Sequence, residues 1–123
     1  SRWYSDTARK IYLALLDGYL FLNMKPELDA IVAGCPVERF GALCDIGHIY
    51  QAIALRDFAW ARQILRQLDQ SNPFVQLAEF EVLQRTNIPA AIELGEAILI
   101  ENPDFWRLKR VVQELKSKPR IGP

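Results

Sequence analysis

A net charge is missing: 15 basic residues balance 15 acidic ones across 123 residues. No net field therefore draws the chain to nucleic acid or to an anionic membrane. Lys and Arg do not cluster along the predicted inner helices, which disfavours RNA reading. Histidine is represented by His48 alone and cysteine by Cys35 and Cys44 alone. Cys44 and His48 stand four apart, beside Asp45, a spacing that offers a metal two ligands where a structural zinc centre takes four, and no metal or other cofactor is expected. No nest, Gly-rich turn or orienting third group accompanies Cys44 and His48, so nucleophilic catalysis finds no support there. Gly41-Ala42-Leu43 is not a phosphate loop. Glu79 with Glu81, and Glu93 with Glu96, read as solvated helix faces without a partner for acid–base work. No secretory leader is visible, and two cysteines in a helical context are expected as reduced, buried thiols in a cytoplasmic protein. The chain starts at Ser1 without Met, which reads as trimming or excision.

What is present is a phrase written twice, 30 residues apart: Asp57-Phe58-Ala59-Trp60-Ala61 leading to Asn72-Pro73, and Asn87-Ile88-Pro89-Ala90-Ala91 leading to Asn102-Pro103. Asp57 and Asn87 carry short side-chain oxygens suited to capping a first helical turn. Asn72 and Asn102 repeat that role, each followed by a proline at the first helical position, where its missing N–H costs nothing. Ala61 and Ala91 allow two helix backbones to approach, and Phe58 and Ile88 are expected to plug the turns. A cap, a helix and an Asn-Pro boundary at a fixed period predict stacked helical hairpins.

The chain is long enough for one domain with a sizeable core, expected over residues 1–117 as an all-α solenoid of stacked antiparallel hairpins with about seven helices. The first runs from Asp6 to Asn23, capped by Ser5 or Asp6. Pro26 opens a short second helix that Gly34-Cys35-Pro36 closes. A third spans Val37 to Leu55 and pairs with Phe58 to Leu68. Pro73 to Arg85 pairs with Ile88 to Ile100. Pro103 to Lys116 forms an amphipathic solvating cap with Phe105, Leu108, Val112 and Leu115 in one stripe. Residues 118–123 have no periodicity and are expected as a disordered or extended tail.

The first helix is apolar on every side from Ile11 to Leu22, apart from Asp17 and Gly18. It is too short to cross a membrane, which takes about 20 apolar residues. Two readings remain: contact with another chain, or cover supplied by Trp3, Tyr4 and the second helix. The first reading predicts self-association when the chain is alone. On the inner helices, equal offsets make Tyr50 equivalent to Phe80 and Ile53 equivalent to Leu83. Two readings apply to those positions: the lining of a groove for an amphipathic helix, or ordinary core, the latter above all for Ile53 and Leu83. Trp106, off the stripe of the last helix, is a candidate groove wall with an indole N–H to offer.

Arg56-Asp57-Phe58-Ala59-Trp60-Ala61 resembles the turn of tetratricopeptide hairpins, with Arg56 where a helix-ending glycine is usual. Together with Leu77-Ala78-Glu79-Phe80-Glu81 and Asn102-Pro103, it is similar to the YscG/PscG-type chaperones of bacterial type III secretion needles, over about Val37 to Leu115. The resemblance implies a non-catalytic, cytoplasmic chaperone whose concave face masks an amphipathic helix of a needle subunit, together with a small helical co-chaperone. Carried over by position, Ile46, Tyr50, Ile53, Phe80 and Leu83 would line the groove, and Tyr12, Leu15, Tyr19 and Leu22 would meet the co-chaperone. The alternative is a generic tetratricopeptide-like scaffold or regulatory module excised from a larger protein.

Overall fold

The computed structural model describes residues 2–118, with side chains from Thr7 onward. Among them the fold is all-α and contains no strand: α1 Arg2–Phe21, α2 Lys25–Ala33, α3 Val37–Phe40, α4 Ala42–Ala54, α5 Phe58–Arg66, α6 Pro73–Thr86, α7 Ile88–Glu101 and α8 Trp106–Ser117. Contacts divide the chain into two compact units, one up to Ala78 and one from Glu79. Of the expected tail, Lys118 is extended, while 119–123 and the side chains of Trp3 and Tyr4 lie outside the described residues.

Of the four caps expected in the repeated phrase, three form. The Asp57 carboxylate accepts the Trp60 N–H at 3.1 Å, the Asn87 side-chain oxygen accepts that of Ala90 at 3.2 Å, and Asn72 accepts that of Phe74 at 2.9 Å. Asn102 instead closes α7, donating its side-chain N–H to the Ile98 carbonyl at 3.1 Å. Asn102 has an extended φ of −134°, in line with the bias a following proline imposes. Pro103 therefore sits in a turn, and α8 begins at Trp106 rather than Pro103. The first helix starts earlier than expected, so Ser5 and Asp6 lie within it rather than capping it. The expected helix from Val37 to Leu55 is two helices, because Gly41 takes a φ of +54°, in the left-handed half of backbone space that a helix cannot pass through. That division gives eight helices where about seven were expected.

Arg56 closes α4 in a left-handed turn without a glycine. Its φ is +59°; its N–H donates to the Ile53 carbonyl at 2.9 Å, and the Asp57 N–H to Ala52 at 2.8 Å. This pair of bonds is the Schellman closure of a helix. A non-glycine residue pays roughly 1 kcal/mol for that conformation, partly offset by the Arg56 guanidinium lying 5.6 Å from the Phe58 ring centroid.

In the unit up to Ala78, α4 is the central rod, packed against α1, α2, α3 and α5. It buries Leu43, Cys44, Ile46, Ile49, Tyr50, Ala52 and Ile53. Gly47 marks the crossing with α1 and α2: a Cβ there would meet Val32 Cγ2 at 3.1 Å and the Tyr12 hydroxyl at 3.5 Å. Ala61 of α5 is fully buried, as a close hairpin contact requires. Cys35 and Cys44 are joined in a disulfide, which corrects the expectation of two reduced thiols. Cys35 lies in the break between α2 and α3 rather than on a helix, and this turn returns its sulfur to α4.

In the unit from Glu79, α7 buries Ala91, Ile92, Gly95 and Ile98, and α8 buries Leu108, Val112 and Leu115 along the expected stripe. Gly95 is the contact point. A Cβ on it would stand 2.5 Å from Val112 Cγ2 and 3.0 Å from Phe80 Cε1. Ile88 is 38% exposed, so it does not plug its turn as expected.

Candidate functional site

Four of the expected groove residues are core. Ile46, Tyr50, Ile53 and Phe80 are each at most 2% exposed, so none offers surface to a partner. The reason is physical: positions repeating at equal offsets in successive hairpins are the ones that face the neighbouring helices, and the core claims them first. Leu83 is half-buried. Trp106 stands on the surface, 70% exposed.

Several exposed apolar side chains gather along α1. Tyr12 and Leu16 turn inward; the Tyr12 hydroxyl donates to the Ile31 carbonyl of α2 at 3.0 Å, and its ring lies 5.2 Å from that of Phe40. Burial pushes the Tyr12 hydroxyl above the ordinary tyrosine range. On the adjoining face Ile11, Leu15 and Leu22 are 56%, 40% and 63% exposed. Gly18 lies between them with nothing within 4 Å of where its Cβ would be. Positions 11, 15, 18 and 22 are spaced four, three and four, the stagger of a two-helix seam. Phe21, exposed at the end of the same helix, widens it. Of the four expected contact residues, Leu15 and Leu22 are on this seam, Tyr19 is half-buried beside it, and Tyr12 is covered. Sequence reading missed Ile11 and Gly18, although their spacing was there to be counted.

A second feature surrounds Trp60, which sequence reading placed only as part of the repeated phrase. A cleft of about 330 Å³ lies among Asp45, His48, Trp60, Ile64, Gln67 and Leu68. A smaller one of about 150 Å³ shares Trp60 and is bounded by Lys25, Asp29, Gln51, Ala54 and Leu55. Between them His48 Nδ1 and Gln51 Oε1 are 2.9 Å apart, and Gln51 Nε2 donates to Asp29 Oδ1 at 2.9 Å. The chain links α4 to α2. His48 thus meets an amide rather than a carboxylate, and Cys44 Sγ is held in the disulfide, so the pair four apart forms neither a nucleophile with its base nor two free ligands. Among the described residues no three His, Cys, Asp or Glu side chains gather as a metal would need.

Among those residues no helix is long and apolar enough to cross a membrane. In comparisons with known proteins, no family model, no curated protein and no solved structure matches this chain.

Proposed function

We propose that this chain is a non-catalytic interaction module that masks an amphipathic helix of a partner polypeptide along the seam of α1. The observation that carries the reading is the exposure of Ile11, Leu15 and Leu22 at seam spacing around an open Gly18. Three aliphatic side chains left in water at that stagger suit an α-helix, whose own ridge of i, i+3, i+4 and i+7 residues fits between them. The missing side chain at Gly18 lets the two backbones come close. Docking removes apolar area from water at about 25 cal/mol per Å², which is the driving force of the complex. No turnover is involved.

Within that reading, the tetratricopeptide-like turn at Arg56 to Ala61 supports a narrower one: a cytoplasmic chaperone of a needle-type secretion subunit, working with a small helical co-chaperone. Its partner surface is then α1 rather than the inner helices, whose aromatic residues are core. The test is co-expression with short helical polypeptides encoded beside this chain, followed by co-purification. Leu15→Asp combined with Leu22→Asp should abolish capture and leave helical circular dichroism unchanged, since both side chains are already in water. Retention of the partner by the double variant overturns the proposal.

A further inference from the structure

We infer that the Cys35–Cys44 disulfide is a redox-governed clasp that holds Phe40 of α3 against α1, and that its reduction widens the partner-binding stripe by baring the side of the Tyr12 ring that Phe40 covers. The inference rests on the reading of α1 as the partner surface and adds its regulation.

Beyond its packing on α4, little else holds α3. It is four residues long and buries none of them, far below the length at which a helix is stable by itself. Gly41, at a φ of +54°, joins it to α4 as a turn rather than as continuous helix. Two contacts with α1 are on its outer side: Arg9 Nη2 donates to the Arg39 carbonyl at 2.9 Å, and the Phe40 ring packs on Tyr12. The first is exposed to water, where a single bond contributes little. The disulfide closes the segment at both ends, across a separation of nine residues, and limits how far Phe40 can leave Tyr12.

The chemistry is suited to reversal. Cys35 is part-exposed, whereas Cys44 is buried in the first turn of α4. A thiolate from a dithiol reductant attacks the accessible Cys35 sulfur, the Cys35–Cys44 bond breaks, and Cys44 leaves as thiolate. It leaves at the positive end of a 13-residue helix, which favours the negative charge. The second thiol of the reductant then displaces Cys35. In balance, the reductant loses two electrons and two protons to form its own disulfide, and Cys35 and Cys44 end as two thiols.

With the clasp open, the ring face of Tyr12 adjoins Leu15, Tyr19 and Leu22 at a spacing of three, four and three, a broader stripe along α1 and the turn that follows it, while the Tyr12 hydroxyl keeps its bond to Ile31. A reducing compartment therefore presents the wide surface and an oxidising one the narrow surface.

The test is hydrogen exchange of the full chain read by mass spectrometry, oxidised and after reduction with a phosphine, beside the Cys35→Ser/Cys44→Ser variant. Fluorescence of the dye ANS reports apolar exposure. Reduction should speed exchange over residues 36–41 by about tenfold or more and raise ANS emission, while α5 keeps its protection. The double variant should match the reduced protein whatever the oxidant. Unchanged exchange over 36–41 overturns the clasp, and so does loss of protection spread through α4 and α5, which would mark the disulfide as a general staple. Neither readout uses a partner, so failure here leaves the α1 seam to stand or fall on its own variants.

Discussion

Replacing glycine by alanine at two helical positions should move stability in opposite directions. Both Gly18 and Gly95 lie inside helices, where alanine is favoured by up to about 1 kcal/mol. At Gly18 nothing lies within 4 Å of the new methyl, so only that preference acts and Gly18→Ala should gain roughly 0.5–1 kcal/mol. At Gly95 the methyl would be 2.5 Å from Val112 Cγ2, whereas carbon atoms rest at about 3.5–4.0 Å. Either α8 or the Val112 side chain must retreat by about 1 Å, and Phe80 at 3.0 Å blocks the opposite escape. Overpacking of this kind costs about 1–3 kcal/mol, more than the helical preference returns, so Gly95→Ala should lose roughly 1 kcal/mol or more. Urea unfolding followed by helical circular dichroism resolves both. With a slope of about 1–3 kcal/mol per molar, the midpoint should rise by roughly 0.5 M for Gly18→Ala and fall by about as much for Gly95→Ala. A Gly95→Ala protein as stable as the parent refutes the three-helix contact at that position. Destabilisation by Gly18→Ala refutes the open seam. Because the added methyl stands in the path of a docking helix, Gly18→Ala should also weaken partner capture while stabilising the chain, a combination that simple damage to the fold does not produce.

Asp57→Ala and Asn87→Ala should each cost about 1 kcal/mol in the same titration through loss of a helix cap, and Asp57→Ser should recover most of it; no effect from either alanine would show that the observed 3.1 and 3.2 Å bonds contribute nothing. Stability should fall as pH rises past the ordinary tyrosine range, because Tyr12 holds its proton more tightly folded than unfolded. The contribution is full below the unfolded value and is lost on the way up through the folded one. Tyr12→Phe should flatten that alkaline slope, and an unchanged slope would place its origin elsewhere.

Features governed by a few neighbouring residues were legible in the sequence. The oxygens of Asp57, Asn72 and Asn87 needed only the N–H groups two or three residues on, and the apolar stripe of α8 needed only helical periodicity. Asn102 shows where the same local rule has two outcomes: an asparagine before proline serves a helix that ends there as readily as one that begins, and the Ile98 carbonyl decided the matter. Gly41 was visible as a glycine, but its positive φ depends on the return of α4 beneath α1 and α2, which is a property of packing.

The groove was misread for a deeper reason. Matched offsets in a repeat report a similar environment without saying whether it faces inward or outward, and Tyr50 and Phe80 are each buried, one in either unit. The over-apolar first helix carried the more useful signal, because a helix apolar on every side and packed mainly along one face must leave apolar residues in water. Counting four, three and four from Ile11 identifies which residues those are. The disulfide required contact information that spacing alone does not hold, since Cys35 and Cys44 come together only through the turn at Gly34 to Pro36 and the break at Gly41. The same two interruptions that hid the bond from sequence reading also leave α3 as a single short turn packed on α4, so the proposed clasp has a segment small enough to release.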